Sequence, residues 1–229
     1  MSELRRGLAV ALAIARKDAT SELRGRQATG STLFFAAIVL LLFGFALGPD
    51  AQRLAQAAPG LLWLAIVFGG LLTMARLHQL EAEDGALEQL ALYPVDRRAI
   101  YAGKALAGAA AMLVLGGLLV PVVAILYAVP LGAGWLPLLA AVVLGAIGFA
   151  AVGTAYAGLT VRMRAREVML PLLLLPLVVP IFIAGVKVTG RMLAGKPLAD
   201  VAPWLNLMVG FDVIFLVVGW LVFEYAVEE

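Results

Sequence analysis

The sequence predicts an all-α, polytopic membrane protein: six transmembrane helices preceded by an amphipathic interface helix, in one domain over residues 1–229. Two observations carry this. Of 229 residues, 63% are hydrophobic and 14% charged, whereas a soluble domain is about half apolar and about a quarter charged. The apolar residues also fall in runs long enough to cross a bilayer, since about 20 residues at ~1.5 Å each span a ~30 Å hydrocarbon core.

The runs lie roughly at 31–48, 59–77, 103–129, 136–161, 168–190 and 204–226. The third and fourth are long enough to tilt or kink, and Pro121 supplies a candidate kink in the third. The fifth contains Pro171, Pro176 and Pro180. Each removes a backbone donor, and in lipid the freed carbonyls need partners from neighbouring helices or water. The expectation is a bent or broken helix that acts as a hinge or lines a cavity. Ordinary transmembrane proline is the plainer alternative.

Residues 3–26 are too polar to span. Leu4, Leu8, Leu12, Ala15 and Ala19 share one face at helical spacing, with Arg6, Lys17 and Arg24 nearly opposite. That pattern describes a helix lying in the membrane interface. A signal peptide with its apolar core at 7–15 competes, but that core is short, alanine-rich and followed at once by Arg16 and Lys17.

Orientation follows the Lys/Arg bias of the loops. With the N-terminus inside, the cytoplasmic segments hold Arg5, Arg6, Arg16, Lys17, Arg24, Arg26, Arg76, Arg97, Arg98, Lys104, Arg162, Arg164 and Arg166. The outer side keeps only Arg53, Lys187, Arg191 and Lys196. Both termini are therefore expected in the cytoplasm.

Composition removes several classes. A net charge of +2 without basic clusters excludes a nucleic-acid partner. The absence of cysteine excludes disulfides, iron–sulfur clusters and thiolate metal sites. The one histidine, His78, cannot form a multi-histidine metal or haem site within this chain alone, and its place beside Arg76 reads as a headgroup-level residue. No metal site and no catalytic constellation is expected. Gly190–Pro197 (GRMLAGKP) approaches the phosphate-binding GxxxxGK[ST], but its last position lacks the hydroxyl that holds magnesium and no strand precedes it. The chain has no nucleotide site of its own on this reading.

Asp212 is the candidate intramembrane functional residue. An acid inside a span costs about 2.5–3.5 kcal/mol on insertion scales, and such residues usually face the bundle interior. Its alternatives are a structural hydrogen bond, with Lys187 as a shallow partner, or a proton-linked role in a secondary transporter. Glu224, near the inner end of the same span, reaches water. Trp63, Trp135, Trp204 and Trp220 lie near span ends and are expected to form an aromatic belt. Gly44 and Gly48 form a GxxxG, and Gly103, Ala107 and Ala111 a small-residue stripe, either of which permits close helix approach within the bundle or to a second copy.

The segment 81–94 (EAEDGALEQLALYP) is the densest group of carboxylates in the chain. Glu81, Glu83, Asp84 and Glu88 make it acidic; Leu80, Leu87, Leu90 and Ala91 give it an apolar stripe; Pro94 ends it. Within a cytoplasmic loop over 78–102, this reads either as a solvated connection or as a short helix that docks in a groove on a partner.

The pattern E-x-E-x-G-x-L-E-x-L-x-x-x-P, carried by Glu81, Glu83, Gly85, Leu87, Glu88, Leu90 and Pro94, with Lys104 ten residues later, resembles the second-to-third-span loop of ABC-2-type exporter permeases. In that class the loop carries the coupling helix that meets the ATPase, and the interface helix with six spans is similar too. LEQLALYP at 87–94, LPLLLLPLVVPIF at 170–182 and WLNLMVGFDVIF at 204–215 further resemble the CcmB, or haem exporter protein B, family of the cytochrome c maturation system.

That resemblance implies a bacterial inner-membrane complex of two copies of this chain with two cytoplasmic ABC ATPase subunits, which supply ATP and magnesium. It also implies two further membrane proteins, one that handles haem and a small one with a single span, and, indirectly, a periplasmic haem chaperone. Haem is then cargo of the complex, with no cofactor held by this chain alone. A non-transporting scaffold in haem delivery remains the third reading.

Overall fold

The computed structural model describes residues 3–24, 26–83, 96–130, 132, 134–160 and 166–226, with side chains at 5–20, 30–77, 96–130, 132, 134–156 and 172–223. Seven α-helices and no strand make up the described residues. They are α1 (Glu3–Arg24), α2 (Arg26–Leu47), α3 (Ala51–Glu83), α4 (Arg97–Leu126), α5 (Trp135–Thr160), α6 (Arg166–Leu193) and α7 (Leu198–Ala226). Six of them are long and apolar enough to cross a membrane.

The helix ends follow local chemistry. Asp50 caps α3: its Oδ1 accepts from the backbone N–H of Gln52 at 2.9 Å and of Arg53 at 3.2 Å. Asp96 caps α4 through the N–H of Arg98 at 2.9 Å. Both satisfy donors that the first helical turn leaves open. At the end of α6, Gly195 has φ +66°. Its N–H donates to the Met192 carbonyl, and the Lys196 N–H reaches back to Arg191, both at 3.0 Å. This is a Schellman end followed by proline. The glycine and proline of the GRMLAGKP match thus belong to a helix terminus, with α7 beginning one residue later.

The helices run past the hydropathy limits. α3 begins eight residues before Pro59 and passes through it unbroken. α4 likewise continues through Pro121. The break expected in the fifth span is absent: α6 is one helix through Pro171, Pro176 and Pro180. Pro176 and Pro180 lie on the exposed side of that helix. Segment 191–203 is helical except for the turn at 194–197 between α6 and α7.

α3 is the central helix: 72% of its span is buried, against 17% for α2 and 22% for α7. α2 instead displays Phe34, Leu42 and Phe45, at 68%, 62% and 81% exposure, as a hydrocarbon-facing surface. Lipid is as apolar as leucine, so helix association here rests on close packing and hydrogen bonds. Glycine makes that packing possible. A Cβ on Gly70 would meet Met112 at 2.6 Å, one on Gly108 would meet Met74 at 2.8 Å, and one on Gly116 would meet Val142 at 2.8 Å. These notches lock α3, α4 and α5 together. Gly44 lies against the Tyr127 ring, whereas Gly48 is the left-handed residue ending α2 and touches nothing. The GxxxG is therefore no packing motif within the chain.

α1 packs chiefly on α4. Its packed face is Ala11 and Ile14, at 6% and 7% exposure, while Leu8 and Leu12 are each 58% exposed. The leucine stripe is left free for the bilayer, and an adjacent stripe, unseen in the periodicity, holds the helix to the bundle. A Cβ on Gly103 would stand 2.7 Å from the Ala11 carbonyl oxygen, a backbone atom that cannot swing aside. Gly103→Val is therefore expected to lift α1. In this cysteine-free chain, maleimide labelling of Ile14→Cys should then speed up by at least about tenfold, as the opening of a packed face demands. Unchanged labelling would place α1 against α4 by some other contact.

Candidate functional site

The acid-rich loop begins on α3. The helix continues from the bundle centre to Glu83, so Glu81 and Glu83 lie on its last turn; their side chains, like that of His78, fall outside the described residues. Asp84, Gly85, Leu87, Glu88, Leu90 and Pro94 also lie outside them. The described flanks are well anchored. Arg76 donates to Thr32 Oγ1 at 3.2 Å and to Ser31 Oγ at 2.9 Å, tying α3 to α2. Lys104, counted among the cytoplasmic basic residues and in the loop pattern, is 1% exposed. Among the described residues no group of three or more potential ligands is placed to hold a metal ion.

At the bundle centre the expected aromatic belt is corrected. Trp63 is not at an interface: it is 1% exposed and lies inside the core. Cβ atoms on Gly185 and Gly145 would fall 2.2 Å and 2.7 Å from its ring. The indole is thus seated between the backbones of α6 and α5. Its N–H donates to Thr189 Oγ1 at 2.9 Å, and that hydroxyl donates to the Gly185 carbonyl at 2.8 Å. Trp135 and Trp220 do stand outside, at 58% and 41% exposure. Trp204 stacks with the Arg191 guanidinium, 5.7 Å from the ring centroid.

Thr189 also lines a cavity of about 220 Å³ at the end of the bundle bearing the short turns. Pro130, Gly132, Leu138, Met192 and Leu193 complete much of its wall. Tyr127 donates to the Leu40 carbonyl at 2.7 Å.

Toward the other end, Tyr101 is 1% exposed and its hydroxyl is shared between the carbonyls of Ala151, 3.2 Å away, and Phe215, 3.3 Å away. A Cβ on Gly219 would fall 2.1 Å from that hydroxyl. Tyr101 therefore pins α4 to α5 and α7 through a glycine notch.

Asp212 lies near the middle of α7 and is 5% exposed. Among the described residues neither carboxylate oxygen has a hydrogen-bond partner. A Cβ on Gly148 of α5 would meet Oδ1 at 2.4 Å and Ile181 of α6 at 2.1 Å. Lys187, weighed as a partner, is exposed and does not pair with it.

The CcmB protein family model matches residues 9–229. Heme exporter protein B of Rhodobacter capsulatus is 35% identical over 161 residues, 70% of this chain and 73% of that protein. The Pseudomonas aeruginosa protein of the same name is 33% identical over 176 residues, 76% of this chain and 77% of its own. Heme exporter protein B of Escherichia coli is 41% identical over 75 residues, 33% of this chain and 34% of that one. With six helices able to span a membrane and a match along nearly its whole length, the chain is a multi-pass membrane protein of the CcmB family.

Proposed function

We propose that the chain is the permease subunit of an ATP-driven haem exporter in cytochrome c biogenesis. Two copies assemble with two cytoplasmic ATPase subunits, beside a haem-handling membrane protein and a small single-span one. ATP and magnesium act in the ATPase. This chain converts the motion of that partner into movement of the spans, and the product is exported haem or release of a haem-loaded periplasmic chaperone. Both termini and the loop at 78–102 face the cytoplasm, as the Lys/Arg bias favours.

The haem assignment is supported by relatives named heme exporter protein B that match along most of the chain. The observation that carries the mechanical part is the length and placement of α3. The most buried helix in the bundle continues without interruption for 33 residues to Glu83, at the edge of the acidic segment. A push on residues 81–94 is thereby delivered to the Trp63 and Met74 layers rather than lost in a flexible linker. Pro171, Pro176 and Pro180 are where α6 yields. ATP binding drives this change only insofar as the ATPase binds the two arrangements of the spans with different affinity.

Gentle purification from native membranes tests the reading. A nucleotide-hydrolysing subunit is expected to accompany the chain, with haem in the same fraction. Recovery of folded chain with no ATPase, from membranes in which the ATPase is present, would refute it.

A further inference from the structure

We propose that Asp212 is a proton-binding site in the middle of the bundle, and that the proton it holds keeps α7 packed against α5 and α6. The carboxyl is 5% exposed, both of its oxygens lack a donor among the described residues, and it fills the notch left by Gly148 beside Ile181 and Phe211. A bare carboxylate in such a place is disfavoured on the order of a hundredfold on membrane-insertion scales. An acid that can find neither cation nor donor avoids that penalty by keeping its proton.

Among the described residues no cation stands within ion-pair distance of Asp212 and no donor reaches its oxygens. α5 brings Gly148 and has no titratable residue between 135 and 155; α6 has none between 172 and 186. Lys187 of α6 is exposed. α4 brings Tyr101, whose hydroxyl is already shared between the Ala151 and Phe215 carbonyls, and Lys104, and neither is hydrogen-bonded to Asp212. Lys104 is buried one turn further along α4.

Loss of the proton to water leaves a charge that the dry notch cannot solvate, so α7 must separate from Gly148 and Ile181 until water reaches Oδ1. Protonation state and the packing of α7 are then one equilibrium. The site is independent of which partner drives the bundle, and its test needs none.

The full chain in nanodiscs of phosphatidylethanolamine and phosphatidylglycerol is treated with dicyclohexylcarbodiimide, which adds to protonated carboxyls in apolar surroundings. Mass spectrometry is expected to find the adduct on Asp212 at neutral pH, at least about tenfold above the exposed Asp50 and Asp200, and to find it falling at alkaline pH. Infrared spectra, which need no reagent access, should show a protonated-carboxyl stretch that Asp212→Asn removes. Hydrogen exchange along α7 should rise at alkaline pH beyond its intrinsic increase, and the asparagine variant should lose that excess. Absence of the infrared band in the wild-type chain overturns the proton site. An excess of exchange that persists in Asp212→Asn overturns its link to α7 packing.

Discussion

Replacing Trp63 with alanine is expected to cost about 3–5 kcal/mol of folding free energy, the range for deleting a buried tryptophan. A domain holds only about 5–15 kcal/mol in total, so most of the variant should fail to accumulate in a folded form. The cost does not come from transfer out of water, because Trp63 leaves lipid-like surroundings for protein. It comes from lost contacts with the backbones of α5 and α6 at Gly145 and Gly185, and from the Thr189 hydroxyl losing the indole N–H. Trp63→Phe keeps much of the ring and should lose only about 0.6–2 kcal/mol, the worth of an interhelical hydrogen bond in a membrane. Gly185→Val approaches the same interlock from the other side: its Cβ would lie 2.2 Å from the ring, so it should be as damaging as the alanine variant. Equilibrium unfolding in mixed detergent micelles measures all three. Equal stabilities for the alanine and phenylalanine variants would show that the interlock is not what holds α3 to α5 and α6.

How much of this was legible in the sequence differs by level. The six spans and the amphipathic first helix were readable, because a run of apolar residues needs no partner to be recognised. The faces were not. In a soluble helix the buried stripe differs from the exposed one in polarity; in a span both are apolar, so Trp63 reads as a belt residue though it is in the core. The same blindness hid the Ala11–Ile14 stripe of α1 behind the more hydrophobic leucines. Glycine is the signal that was present and underused: Gly145, Gly148, Gly185 and Gly219 each face a side chain too large to fit if they carried a Cβ. Proline misled in the other direction. Pro176 and Pro180 predict a break from backbone chemistry alone, yet α6 runs through both as one helix. Asp212 stands out in the sequence by its cost in lipid, whereas its burial without a partner among the described residues depends on where Lys187 points, which no spacing rule reports.

Replacing Glu83, Asp84 and Glu88 together with alanine is expected to weaken ATPase association by about tenfold or more while the spans insert and fold as before. Removing one member of a buried, hydrogen-bonded charge pair costs about 2–5 kcal/mol, whereas a rim charge chiefly alters the rate of encounter. Three carboxylates within six residues give the expected loss a margin even when only one of them is buried at the contact. The span-side controls are internal: Arg76, which ties α3 to α2 through Ser31 and Thr32, lies outside the changed set. The Trp63 interlock also lies elsewhere, so thermal stability should not move. Co-purification measures association, and ATP turnover in proteoliposomes measures coupling. Changing the apolar stripe instead, Leu87 and Leu90 to serine, should slow neither encounter nor its salt dependence but should shorten the life of the complex, because contact area sets dissociation. A loop that is only a solvated connection predicts no change in either variant. Loss of turnover with association intact would separate the part these carboxylates play in coupling from the part they play in binding.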